Sequence, residues 1–186
     1  MSNTIEKKEK NLNLPNILAA FRILLAPLML WFMVDQSNPI FDGWHPSWFD
    51  YFAGLIFVIA SVTDFFDGYI ARSWDQMTKL GSILDPLADK MLVLAGFVGL
   101  LSMGRASAFA IFLILSREFF ITGLRVVAVS EGKSVASTMA GKIKTVVQMI
   151  AIGFLIMNWP FATELLWFAV ALTLYSGYEY IRDYLK

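Results

Sequence analysis

Apolar and polar positions fall along this chain in blocks. Six stretches rich in Leu, Ile, Val, Phe, Met and Ala, separated by short polar connections, each approach the length a helix needs to cross the roughly 30 Å hydrocarbon layer of a membrane. The first covers residues 15–34; Pro15 suits an opening helical turn, and Arg22 is the one charge inside. A polar connection with Pro39, Gly43 and Pro46 follows, and Trp44, Trp48 and Tyr51 mark a membrane interface. Residues 51–63 are uncharged but too few to span, so the second helix must continue through Asp64 and Asp67 toward Arg72. The third mirrors it: residues 91–103 reach span length only with residues 83–90, which bring in Asp85 and Asp89. Beyond a tight connection at Gly104 and Arg105, a fourth segment covers residues 106–130 with Arg117, Glu118 and Arg125 inside it. A fifth opens at Gly141 and runs to Trp159, and a sixth covers residues 164–180. The pattern predicts an all-α integral membrane protein with six transmembrane helices, residues 15–186 forming one membrane domain.

Residues 1–14 are a polar juxtamembrane segment, either a short helix on the membrane surface or a flexible tail. They lack the apolar core and small-residue cleavage site of a secretory signal. With six spans both termini share one side, and Lys7, Lys8, Lys10, Arg72, Lys79, Lys133, Lys142, Lys144, Arg182 and Lys186 fall on it, against Arg105 alone on the other. By the positive-inside rule that side is the cytoplasm.

Composition agrees: 58% of the 186 residues are hydrophobic, 16% are charged and mean hydropathy is +0.62, values of a membrane protein rather than a soluble domain. Zero net charge gives no reason to expect nucleic acid as a partner. Cysteine is absent, which excludes thiol catalysis, and the single histidine, His45, lies in a connection, leaving no material for a triad or a zinc cluster.

The candidate chemistry lies between the second and third spans. Asp64 and Asp67 are spaced i, i+3 on one helix and Asp85 and Asp89 i, i+4 on the next, so each pair projects from one helical face and the two pairs can face each other. Four carboxylates cannot stay ionised in a poorly hydrated site unless cations compensate them. Two divalent ions would do so, and oxygen ligands without His or Cys suit Mg²⁺ or Mn²⁺, which enzymes share between carboxylates and substrate phosphates. Gly68, Ala71 and Gly81 leave room for a ligand beside them, and Arg72 can meet a phosphate as a planar donor fork. The competing reading scatters these carboxylates as loop charges or helix caps, with Asp85 an N-cap ahead of Pro86. Arg22 either snorkels to the surface or meets a substrate phosphate near the carboxylates, and Asn16 is a similar case.

The spacing D-x2-D-G-x2-A-R-x8-G-x3-D-x3-D over residues 64–89 resembles the signature of the CDP-alcohol phosphatidyltransferases at every fixed position. That resemblance implies transfer of a phosphatidyl group from a CDP-linked lipid to an alcohol, with release of CMP. It places Asp64, Asp67, Asp85 and Asp89 around the metals and Asp67, Gly68, Ala71, Arg72, Gly81 and Asp85 around the cytidine diphosphate. It makes Asp89 the catalytic base, and it implies a homodimer.

Arg117, Arg125, Lys133, Lys142 and Lys144 gather at the same ends of the fourth and fifth segments, and a cationic pocket there suits an acceptor that carries its own phosphate. Residues 16–22, Arg117-Glu118, 122–125, Gly141-Lys142-x-Lys144-Thr145-x-x-Gln148 and residues 175–180 are similar to bacterial members of the family whose acceptor is glycerol 3-phosphate. The expected substrates are therefore CDP-diacylglycerol and glycerol 3-phosphate, and the expected place is the bacterial inner membrane, among its lipids. Inositol phosphate, serine or phosphatidylglycerol as acceptor, and a cation transporter built on intramembrane carboxylates, are the alternatives.

Overall fold

The computed structural model describes residues 14–73, 79–132 and 138–185, with side chains described outside 14–15 and 65–86. Residues 1–13, and with them the expected juxtamembrane segment, lie outside the described residues. Among those described, the chain forms six helices: α1 (Leu14–Val34), α2 (Pro46–Ser73), α3 (Lys79–Ser102), α4 (Ala108–Ser130), α5 (Met139–Ile156) and α6 (Ala162–Tyr184). A single 3-10 turn at Pro39–Phe41 interrupts the first connection. The chain is an all-α membrane protein. Among the described residues α1, α2 and α5 contain stretches long and apolar enough to cross a membrane, at Asn16–Val34, Pro46–Asp64 and Met139–Ile156.

Local chemistry sets the boundaries. Ser107 caps α4, accepting from the Ala110 N–H at 3.5 Å, and Thr138 caps α5, accepting from the Gly141 N–H at 3.1 Å. Because Thr138 supplies that acceptor, α5 begins two residues before the expected Gly141. α3 ends in a Schellman turn: Gly104 takes φ +67°, and the Arg105 and Gly104 N–H groups donate to Leu100 and Leu101 carbonyls at 2.9 and 3.0 Å. After α1, Asp35 accepts from Asn38 at 2.7 Å and from Trp31 Nε1 at 2.9 Å, and these two bonds hold its carboxyl below its ordinary range.

Among the described residues α2 and α3 both pack chiefly against α1 and touch each other only sparingly. Closeness comes from glycine. A Cβ on Gly99 of α3 would stand 2.6 Å from Met33 Sδ of α1, and one on Gly96 would stand 3.2 Å from Ile152 Cγ2 of α5. Met29, Leu92, Phe97, Leu100, Ile114, Ile152, Ile156 and Leu166 are completely or almost completely buried where these helices meet. α6 packs on α5 and α4, and α5 joins that half of the bundle to α2 and α3.

The end of the bundle at the start of α2 is pinned by one cation. Arg105, in the α3–α4 turn, makes two 2.8 Å bonds to the Asp50 carboxylate and a 2.6 Å bond to the carbonyl of Ile156 at the end of α5. A bidentate guanidinium–carboxylate pair is among the stronger polar contacts. Beside it, Phe41 meets Trp31 at 5.1 Å and Phe49 edge-on at 5.2 Å between ring centroids, closing the first connection. Arg105→Ala is expected to lower unfolding stability in detergent by roughly 1–3 kcal/mol, read as a lower melting temperature; an unchanged melting temperature would mean the contact is dispensable.

Candidate active site

The site lies at the opposite end, about 20 Å further along α2, fourteen residues after Asp50 at 1.5 Å each. Helical backbone continues through residues 64–73 and 79–89, so Asp64 with Asp67, and Asp85 with Asp89, occupy single helices at the spacing expected. α3 starts at Lys79, six residues before Asp85. Asp85 and Pro86 therefore lie inside the helix, which removes the N-cap reading. The side chains of Asp67, Gly68, Ala71, Arg72, Gly81 and Asp85 lie outside the described residues, as does Lys133 altogether.

The side chain of Arg22 is 0% exposed, so it does not snorkel; it lies at the carboxylates, in an ion pair with Asp64, which is 38% exposed. The physical reason is cost: a guanidinium within α1, facing α2, is tolerated only against a counter-charge. Asn16, two turns earlier on the N-terminal side, is also buried.

A second charge cluster links three helices. Glu118 of α4 accepts from Lys144 of α5, its Oε1 lies 3.3 Å from the Arg117 guanidinium, and its Oε2 lies 3.9 Å from Lys90 of α3. Lys90 also donates to Thr122 Oγ1 at 3.0 Å. Arg117 donates to Ser176 Oγ of α6 at 3.0 Å, and the Arg125 guanidinium stands 5.8 Å from the centre of the Tyr180 ring.

These groups surround a cavity of about 640 Å³ that reaches Asp89. Among the described residues that line it, five are cations (Lys90, Arg117, Arg125, Lys142 and Lys144) and two are carboxylates (Asp89 and Glu118). That excess of positive charge among the described lining residues is chemistry suited to an anion. Four of the five basic residues singled out in the sequence are thus brought together. Lys90 adds to the expected set, and Glu118, Thr122, Ser176 and Tyr180, which belong to the stretches that carry the resemblance but have no role from sequence, line the cavity with it. A glutamate midway along an apolar segment demands partners, and that rule could have identified it.

Among the described residues no three ligating side chains form a metal cluster, two of the four aspartates being outside that set. Chemically the donors fit a hard divalent ion, since all four are carboxylates, and Asp64 already takes a cationic partner in Arg22.

The sequence model of the CDP-alcohol phosphatidyltransferase family matches residues 12–175. The chain belongs to this family. Relatives named CDP-diacylglycerol–glycerol-3-phosphate 3-phosphatidyltransferase include one from Bacillus subtilis, 40% identical over 90% of this chain and 93% of its own length. Another, from Escherichia coli, is 37% identical over 91% and 93%, and one from Rickettsia felis is 36% identical over 91% and 94%. The family match spans α1 to the middle of α6, so the charged residues of both clusters lie within it, while Ser176 and Tyr180 follow its end.

Losing the carboxylate from the second cluster strands three cations. Glu118→Gln is expected to cost about 3 kcal/mol of unfolding stability, with partial recovery when Lys144→Met is added. Equal melting temperatures for wild type and the single variant would contradict the pairing.

Proposed function

We propose that this phosphatidyltransferase moves the phosphatidyl group of CDP-diacylglycerol to glycerol 3-phosphate, yielding phosphatidylglycerophosphate and CMP. The single observation that carries the choice of acceptor is the cationic cavity adjoining Asp89. An acceptor with its own phosphate matches five cations against two carboxylates, whereas serine would leave most of that charge unanswered. The relatives' names point to the same pair of substrates.

In this reading Arg117, Arg125, Lys142 and Lys144, with Lys133 from the following loop, hold the acceptor's phosphate. Its free primary hydroxyl then points toward Asp89, which removes the proton as the oxygen attacks the phosphorus bearing the lipid. The bond from that phosphorus to the bridging oxygen breaks, and CMP departs with the electron pair. No covalent enzyme intermediate forms. Asp67, Gly68, Ala71, Arg72, Gly81 and Asp85 bind the cytidine diphosphate. Two Mg²⁺ or Mn²⁺ ions bound by Asp64, Asp67, Asp85 and Asp89 would supply charge neutralisation at the pyrophosphate. Arg22 holds Asp64 in place from the α1 side.

All six helices cross the bacterial inner membrane, with both termini and the site at the cytoplasmic face, and the protein works as a homodimer. The distribution of basic residues supports that orientation. It puts the site where CDP-lipid headgroups and a water-soluble phosphate ester can meet.

Purified protein supplied with CDP-diacylglycerol is expected to release CMP when glycerol 3-phosphate is added, and far less with inositol phosphate, serine or phosphatidylglycerol. Release driven equally well by serine would refute the acceptor assignment. Asp89→Asn should abolish turnover and largely spare CDP-lipid binding, whereas Asp67→Asn should weaken metal and nucleotide binding together. Identical behaviour of the two variants would undo the separation of roles.

A further inference from the structure

One face of α6 is built against the arginines of α4. Thr173, Ser176, Gly177 and Tyr180 follow an i, i+3, i+4, i+7 spacing and are all buried. We propose that this face is the platform that presents Arg117 and Arg125 to the acceptor's phosphate, with Ser176 and Gly177 as positioning residues for Arg117. The inference rests on the functional reading above and adds to it a determinant of acceptor affinity on a helix that contains none of Asp64, Asp67, Asp85 and Asp89.

Three features carry it. First, the Ser176 hydroxyl donates to the Thr173 carbonyl at 3.1 Å, so its proton is committed and its oxygen is left to accept from the Arg117 guanidinium at 3.0 Å. The hydroxyl therefore sets where that guanidinium lies. Second, the stem of Arg117 rests on bare backbone at Gly177: a Cβ there would stand 3.1 Å from Cγ and 3.2 Å from Nε of Arg117. Glycine is unfavourable relative to alanine inside a helix, and here close approach by the arginine accounts for it. Third, one turn on, the Tyr180 ring lies 5.8 Å from the Arg125 guanidinium. Tyr184, a further turn along, donates to Glu131 just beyond the end of α4 at 3.0 Å, tying the two helices together.

The platform acts through geometry. Arg117 is bonded on one side by Glu118 and on the other by Ser176, both contacts using terminal nitrogens of one planar group. With two edges fixed, the guanidinium plane cannot rotate freely, and the cavity that it lines receives a pre-oriented donor. An alanine at 177 pushes the stem outward by a few tenths of an ångström. An alanine at 176 releases the second edge.

The test is CMP release by purified full-length protein, titrated with glycerol 3-phosphate at saturating CDP-diacylglycerol and then the reverse. Gly177→Ala and Ser176→Ala are each expected to raise the KM for glycerol 3-phosphate about tenfold, with the KM for CDP-diacylglycerol moving much less. In an Arg117→Ala background neither should add more than about a twofold change. Should Gly177→Ala fail to fold, Ser176→Ala alone decides. Additive losses in the Arg117→Ala background, or parallel changes in both KM values, would overturn the platform and reduce Ser176 and Gly177 to packing. A wild-type protein that releases no CMP with glycerol 3-phosphate defeats the functional reading itself. A wild type that does so, with variants whose acceptor KM is unmoved, defeats only the platform.

Discussion

A charge placed among apolar helices must be met by another charge, and that constraint organises this protein. Glu118 lies within α4 and is answered by Lys144, Arg117 and Lys90 from three helices. Arg22, wholly enclosed in α1, is answered by Asp64. Removing water from an unpaired ion costs several kcal/mol, so each of these groups selects the helix that supplies its partner. The ion pairs and the apolar core thus specify one arrangement together.

The two ends of the bundle use the constraint differently. Arg105 spends its donors on Asp50 and a backbone carbonyl, which closes that end. At the other end cations outnumber carboxylates among the described residues around an open cavity. α1 packs against both α2 and α3, and its Met33 seats against Gly99 of α3.

Much of the fold was legible because span length and apolar content are one-dimensional properties. Helix limits fell within a few residues of expectation, and Thr138 shows why they were not closer: a capping hydroxyl starts α5 before the apolar run does. The packing of α1 against both α2 and α3 was not legible. It depends on glycines at positions 96 and 99 meeting particular side chains of other helices, and spacing alone does not say which helix faces them. In the site, basic residues could be recognised by depth, which brought Arg117, Arg125, Lys142 and Lys144 into view. Their partners could not, because Lys90, Ser176 and Tyr180 are far from them in sequence and become neighbours only through the packing of α3 and α6 against α4 and α5.

The central claim is that the cationic cavity and the aspartate cluster form one reaction chamber, with the acceptor held between them. A crystal structure of the protein with Mn²⁺, a non-hydrolysable CDP-diacylglycerol analogue and glycerol 3-phosphate tests it most directly. The account predicts the acceptor's phosphate within hydrogen-bonding reach of Arg117 and its free primary hydroxyl beside Asp89. Glycerol 3-phosphate bound away from that cavity, or Asp89 facing away from the acceptor, would contradict it.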